Sequence, residues 1–129
     1  MQTTELEARV PLDVIDVAND NDAFRRVVET GEHEQVVVMT IAPGEDIGEE
    51  VHHTTDQVFI FVNGEGNAEM DGGERRFDEG DLVFVRAGTR HNIVNTGNDP
   101  LRLITIYAPP QHAPGTVHLT KAEAEAAEH

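Results

Sequence analysis

"EEVHHTTDQ", residues 49–57, places three carboxylates, two histidines and a glutamine within nine positions. Glu50 and His52 stand two residues apart, a spacing that on a β-strand turns both side chains to one face. "HTTD" (53–56) can then reverse the chain, and Gln57 opens the apolar run "QVFIFV" (57–62). The stretch is either a polar loop between two strands or three ligands of a metal site. The choice depends on whether the rest of the chain builds a barrel around it and supplies a distant partner.

Outward from this stretch the signals are those of strands. "FRRVVE" (24–29), "EQVVVMTI" (34–41), "DQVFIFVNGEGNAEM" (56–70), "GDLVFV" (80–85), "HNIVN" (91–95) and "LRLITIYA" (101–108) are short and rich in β-branched and aromatic residues. Between them lie "ETGEH", "APGED", "NGEG", "DGGE", "DEGD", "RAGT" and "NTGNDP", all turn-forming. Many short strands with Gly-rich turns predict an all-β antiparallel sandwich or barrel. The N-terminal stretch, residues 1–23, alternates weakly and is expected to lie along the barrel (24–110) as a strand or arm. The tail, 111–129, ends in "TKAEAEAAE" (120–128), where Thr120 and Glu123 form a capping-box pattern and predict a short helix.

Composition narrows the chemistry. At 129 residues the chain is long enough for one domain with a substantial core. It has no cysteine, so any metal must take nitrogen and oxygen ligands. The net charge is −16, and Lys121 is the single lysine beside eight arginines. Such a surface is repelled by nucleic acid and by anionic lipid, so neither is expected as a partner. It also fits a salt-adapted protein, because salt screens the self-repulsion. No apolar run is long enough to span a bilayer, and the acidic N-terminus is unlike a signal peptide. A cytoplasmic protein is expected. "VFIFV" and "LITIY" are apolar on both faces, so something must cover the outside of the barrel. A second copy would do so, which predicts a homodimer; the N-terminal arm is the alternative cover.

The spacing around the opening stretch is regular: Gly44, five residues, Glu50, one, His52, four, Gln57, six, Gly64. A second frame runs Gly80, five residues, Arg86, Ala87, Gly88, two, His91, three, Asn95. These frames resemble the two motifs of the cupins, usually written G-x5-H-x-H-x3–4-E-x6-G and G-x5-P-x-G-x2-H-x3-N. The resemblance implies a small β-barrel, the double-stranded β-helix, holding one divalent metal ion. Carried over position by position, it implies Glu50, His52, Gln57 and His91 as the ligands. Glu50 replaces the usual first His, Gln57 the usual Glu and Arg86 the usual Pro, so the set keeps two imidazoles and one negative charge. Phosphomannose isomerases similarly use Gln, Glu and two His. Zn, Mn, Fe, Co or Ni suits such a mixed donor set. The tail "YAPPQHAPGTVH" (107–118) also resembles small single-domain cupins described as mannose-6-phosphate-isomerase-like.

Parity assigns the remaining residues. His53 would become a ligand only after a one-residue slip that turns it to the opposite face, so it is read as solvent-facing or behind the ligands. His33 and His129 are expected at the surface; His112 and His118 are tail residues, structural or exposed unless the tail folds over the mouth. If Gln57 points inward, so do Phe59 and Phe61, and Ile93 follows His91; these three are the expected pocket walls. Arg75, Arg76, Arg86 and Arg90 are expected to pair with acidic neighbours, Arg90 alone being placed to meet an anionic substrate.

The resemblance implies a small-molecule enzyme: metal-assisted dioxygenase or isomerase-like chemistry on an oxygen-rich substrate. The alternative is a cupin module that binds a metal or small ligand without turnover. No Ser-His-Asp set, phosphate-binding Gly loop or acid/base carboxylate pair competes with these readings.

Overall fold

Glycine-rich turns cut the chain into strands too short to bury a face alone, so they stack as two sheets around a common interior. The computed structural model describes residues 11–127. In chain order these form α1 (Val14–Asp20), β1 (Arg25–Thr30), β2 (Gln35–Ile41), β3 (Asp56–Asn63), β4 (Gly66–Met70), β5 (Gly73–Phe77), β6 (Leu82–Val85), β7 (His91–Asn95), β8 (Leu101–Ala108), β9 (Val117–His118) and α2 (Lys121–Ala127). The larger sheet has the order β6-β3-β8-β2-β1-β9 and the smaller β5-β4-β7. Neighbours pair antiparallel throughout. The expected all-β double-stranded β-helix is the fold.

Strand parity holds where it matters for the site. Along β3, Gln57, Phe59 and Phe61 are buried while Val58, Ile60 and Val62 face outward and are half-buried. Phe59, Phe61, Leu101, Leu103, Tyr107 and Met39 from the large sheet meet Ala68, Phe77 and Ile93 from the small one in a single core. The Phe61 and Phe77 rings stack across the two sheets, with centroids 3.6 Å apart. Close approach explains one glycine: a Cβ on Gly66 would lie 2.1 Å from the Val94 carbonyl oxygen, between β4 and β7. No larger residue fits there without parting the small sheet.

Three elements differ from the sequence expectation. The described part of the N-terminal stretch lies along the barrel as an arm, but it carries a helix where a strand was the other expectation. Asp13 caps it by accepting the Asp16 N–H at 3.1 Å, and Val14, Val17 and Ala18 fall at helical spacing on the side packed against the sheet. Residues 1–10, Glu128 and His129 lie outside the described residues. β5, "GERRF", is exposed except at Phe77 and has no apolar alternation to announce it. It exists because Asp71 and Gly72, at φ 46 and 84, close a two-residue hairpin that returns the chain onto β4. β9 places tail residue His118 beside Arg25 at the edge of β1.

The outer face of the large sheet is partly covered by α1, whose Ala18 packs with Val28, Val38 and Ile104. The C-terminal helix forms as expected, with Thr120 Oγ1 accepting the Glu123 N–H at 3.0 Å. Glu123 returns to the Leu119 N–H at 2.8 Å, one residue earlier than a capping box requires. No helix among the described residues is long and apolar enough to cross a membrane.

Candidate metal centre

Two strand beginnings about forty positions apart meet through their backbones. Glu50 and His91 exchange both main-chain hydrogen bonds at 2.9 Å, an isolated antiparallel bridge. The Gly88 N–H donates to the His52 carbonyl at 2.8 Å, locking the second turn against the first stretch. Gly88 sits at φ +88, the left-handed region that glycine occupies without strain, and so lets the chain turn sharply into His91. The i, i+2 relation then brings Glu50 and His52 to one face, facing His91.

One donor atom from each of Glu50, His52 and His91 lies within 4.8 Å of the other two. Ligands bound at about 2.1 Å around one ion stand roughly 3–4 Å apart, so this cluster needs only a small contraction to close on a metal. The His91 Nδ1 lies 2.9 Å from the Thr89 carbonyl oxygen. A carbonyl can only accept, so Nδ1 carries the proton and Nε2 presents its lone pair, the arrangement that metal-binding histidines use. His91 Nε2, His52 Nε2 and Gln57 Oε1 are all buried without a hydrogen-bond partner. His52 Nε2 is 3.3 Å from Glu50 Oε1, but out of line for a hydrogen bond. Unsatisfied buried polar atoms are rare. Two of them, the His52 and His91 Nε2 atoms, belong to the cluster with Glu50, and such Lewis-basic atoms beside a carboxylate fit a divalent cation. Gln57 lies on the inner face at the start of β3, and its amide N–H donates to Thr105 Oγ1 at 2.9 Å, leaving the oxygen free.

Glu50 supplies the negative charge. Burial pushes its carboxyl up, but the adjoining His52, together with Arg25 and His91, outweighs burial and holds it below the ordinary carboxylate range. It is therefore ionised at neutral pH. Tyr107, from β8, closes the back of the site with its ring centroid 5.9 Å from that of His52. Burial raises its hydroxyl far above the usual phenol range despite opposition from Arg25 and Gln57, so it stays protonated.

The other sequence-assigned residues fall as follows. His53 is exposed, as is His33. Of the expected walls, Phe59 lies under His91, with ring centroids 6.2 Å apart, whereas Phe61 and Ile93 pack deeper in the core. The cavity of about 510 Å³ beside Glu50 and His52 is lined instead by tail residues, among them Gln111, His112, Thr116 and His118. Arg76 pairs with Glu65 and Asp78, and Arg90 with Glu49 at the surface.

The tail does lie over the mouth, the arrangement left open for His112 and His118, but the residue that holds it there was not among the sequence expectations. Gln35 pins it: the fully buried amide donates to the His112 carbonyl at 2.7 Å and accepts from the Gln111 and His112 N–H groups at 3.1 and 3.0 Å. A lone glutamine opening the otherwise apolar "QVVVMTI" was the available signal. His112 Nε2 thereby comes to 3.4 Å from the Tyr107 hydroxyl.

Burial pushes the His112 imidazole down to about 4, with Arg25, His118 and His52 assisting and Glu50 opposing. An unfolded chain takes up this proton near 6.5, the folded one only near 4. Folding stability is therefore lost as pH falls from 6.5 to 4 and levels off below. Discounted for the ring's partial exposure, the loss is on the order of 2 kcal/mol. Urea unfolding of metal-free protein at pH 7 and pH 4.5 measures it, and His112→Gln should flatten the pH dependence. An unchanged slope in the variant would refute this assignment.

The cupin domain family profile matches residues 37–107, more than half of the chain, and the chain belongs to that family. It is 46% identical over 114 residues to the uncharacterized protein YrkC of Bacillus subtilis (strain 168), covering 84% of this chain but 61% of that protein. The chain thus spans less than two thirds of that relative. An uncharacterized protein of Acanthamoeba polyphaga mimivirus is 36% identical over 108 residues, 80% of this chain and 67% of the relative. The crystal structure of BH2720 from Bacillus halodurans superposes with a TM-score of 0.89 at 43% identity, covering 91% of this chain and 93% of that one.

Proposed function

We propose that this chain is a divalent-metal cupin acting on a small oxygen-rich molecule, with Glu50, His52, Gln57 and His91 as its protein ligands. The observation that carries this reading is the convergence of Glu50 with the buried, unpartnered Nε2 atoms of His52 and His91 beside a cavity open to a small molecule. A bound ion from the Zn, Mn, Fe, Co and Ni group would act as a Lewis acid toward a carbonyl or enediolate, or, as Fe(II), support dioxygen chemistry. The chain's own groups do the rest. Thr89 and Thr105 hold His91 and Gln57 in orientation, and the tail pinned by Gln35 shields the cup from bulk water. His112, neutral at pH 7, stands with Nε2 3.4 Å from the Tyr107 hydroxyl at the edge of the cup.

Elemental analysis of purified protein followed by assays with and without oxygen against diketones, phenolics and sugar phosphates tests the proposal. Metal-dependent turnover of one class supports an enzyme. Metal without turnover of any class favours the second reading, a binding module. That reading has its own support: among the described residues, the buried polar groups of the interior include no second carboxylate to move a proton.

A homodimer through the outer face of the large sheet is part of the proposal. Leu82 and Phe84 on edge strand β6 are 58% and 53% exposed. Beside α1 a groove is lined by Leu12, Val14, Val36, Ile60 and Ile106, with Glu29 its one charged residue in a chain of net charge −16. Two copies of this face cover each other about a two-fold axis without bringing many carboxylates together. Sedimentation should give twice the chain mass, and Phe84→Asp should shift the protein to monomer while leaving metal content unchanged. A monomeric wild type at tens of micromolar would rule the dimer out.

A further inference from the structure

Arg25 opens β1 on the inner face, opposite Met39 in the core, and is only 2% exposed. A guanidinium does not shed its proton, so a buried one is expected beside a carboxylate. Among the described residues no carboxylate lies within ion-pair distance of it. Its Nη1 meets His118 Nδ1 at 3.2 Å, its carbon lies 5.3 Å from the Phe24 ring centroid, and its Nε has no partner. The next residue, Arg26, shows the ordinary arrangement: it is exposed, and its Nε donates to Asn21 Oδ1 at 3.0 Å.

The location of this cation matters. His118, which holds it, lines the same cavity as Glu50, His52 and His112. Its charge is felt at Glu50 and His112, which line that cavity, and at Tyr107 in the core beside them. Without an ion, Glu50 and Arg25 nearly balance each other's charge. With a divalent ion the cup carries two net positive charges, and a neutral sugar or diketone leaves them uncompensated. One guanidinium fork matches one carboxylate.

We propose that Arg25 is an anion anchor and that the cup takes a small organic acid, one carboxylate on Arg25 and a second oxygen toward Glu50, His52 and His91. The second contact rests on the metal reading above; the first does not. Calorimetric titration with malonate and with its neutral diamide, malonamide, tests the two separately, on zinc-loaded and on metal-free protein. Malonate should bind about tenfold or more tightly than malonamide in both forms. Arg25→Met should abolish that preference in the metal-free form at unchanged zinc stoichiometry, and Arg25→Lys should restore part of it. Failure of the wild type to hold zinc would overturn the metal reading and leave the metal-free comparison to judge Arg25. Equal affinity for acid and amide in metal-free protein, or a folded Arg25→Met that keeps the preference, would overturn the anchor. Inorganic phosphate binding more tightly than malonate would overturn the assignment to organic acids. Should both variants misfold, the wild-type comparison of acid and amide decides.

Discussion

His91→Ala is expected to reduce bound divalent metal from about one ion per chain to a small fraction of that after dialysis, read by elemental analysis. His91 is the partner that the Glu50–Gln57 stretch lacks, and its Nε2 lies among the donors that no protein group satisfies. Losing one of two imidazoles leaves a carboxylate, one ring and a neutral amide, a set too weak to hold a borderline ion against dialysis. Wild-type stability should respond to added metal. At a free concentration about a hundredfold above Kd the gain is roughly 2.7 kcal/mol, on the order of 5–10 °C in Tm. In His91→Ala that shift should vanish, whatever the metal-free variant itself loses with the Thr89 hydrogen bond and the contact with Phe59. His53→Ala, one residue from His52 but exposed, should behave as wild type. A His91→Ala protein with full metal content would end the ligand assignment.

Phe61→Ala should be the most destabilising single truncation, costing about 3–5 kcal/mol. Its ring is 1% exposed, lies parallel to that of Phe59 at 6.2 Å and stacks on Phe77 at 3.6 Å. Phe61 belongs to the large sheet and Phe77 to the small one, so the pair joins the two halves of the barrel. The cavity left behind cannot refill from a backbone held by β6 and β8 on either side. Against a typical total of about 5–15 kcal/mol, such a loss should move the urea midpoint far to lower concentration. A change under about 1 kcal/mol would show that the sheets do not close through this contact.

Much of this architecture was legible from local signals. The six expected strand runs are strands, since alternation and turn glycines act over a few residues wherever the chain goes. "DGGE" was readable as a turn but not as a hairpin, because β5 buries only Phe77 and its remaining side chains are polar. The N-terminal arm lies along the sheet as expected, but its helix was not legible, because Val14, Val17 and Ala18 make too short an apolar stripe to declare a helix until the sheet they pack against is known. At the site, the i, i+2 spacing was enough to place Glu50 and His52 together. The walls were not: parity located Phe59, Phe61 and Ile93 on inner faces, yet inner faces also make the core.

The order of turns and strands, the inward side of β3 and β7 and the two spaced frames are properties of short segments, where backbone sterics and side-chain alternation decide, and the residues alone carry them. That Glu50 and His91 share a bridge, that the tail returns over the cup under the grip of Gln35, and that Arg25 meets His118 required long-range pairing. Each of these depends on segments about forty to ninety residues apart finding one register. No local pattern records that choice, because it is made by the burial of the whole interior at once.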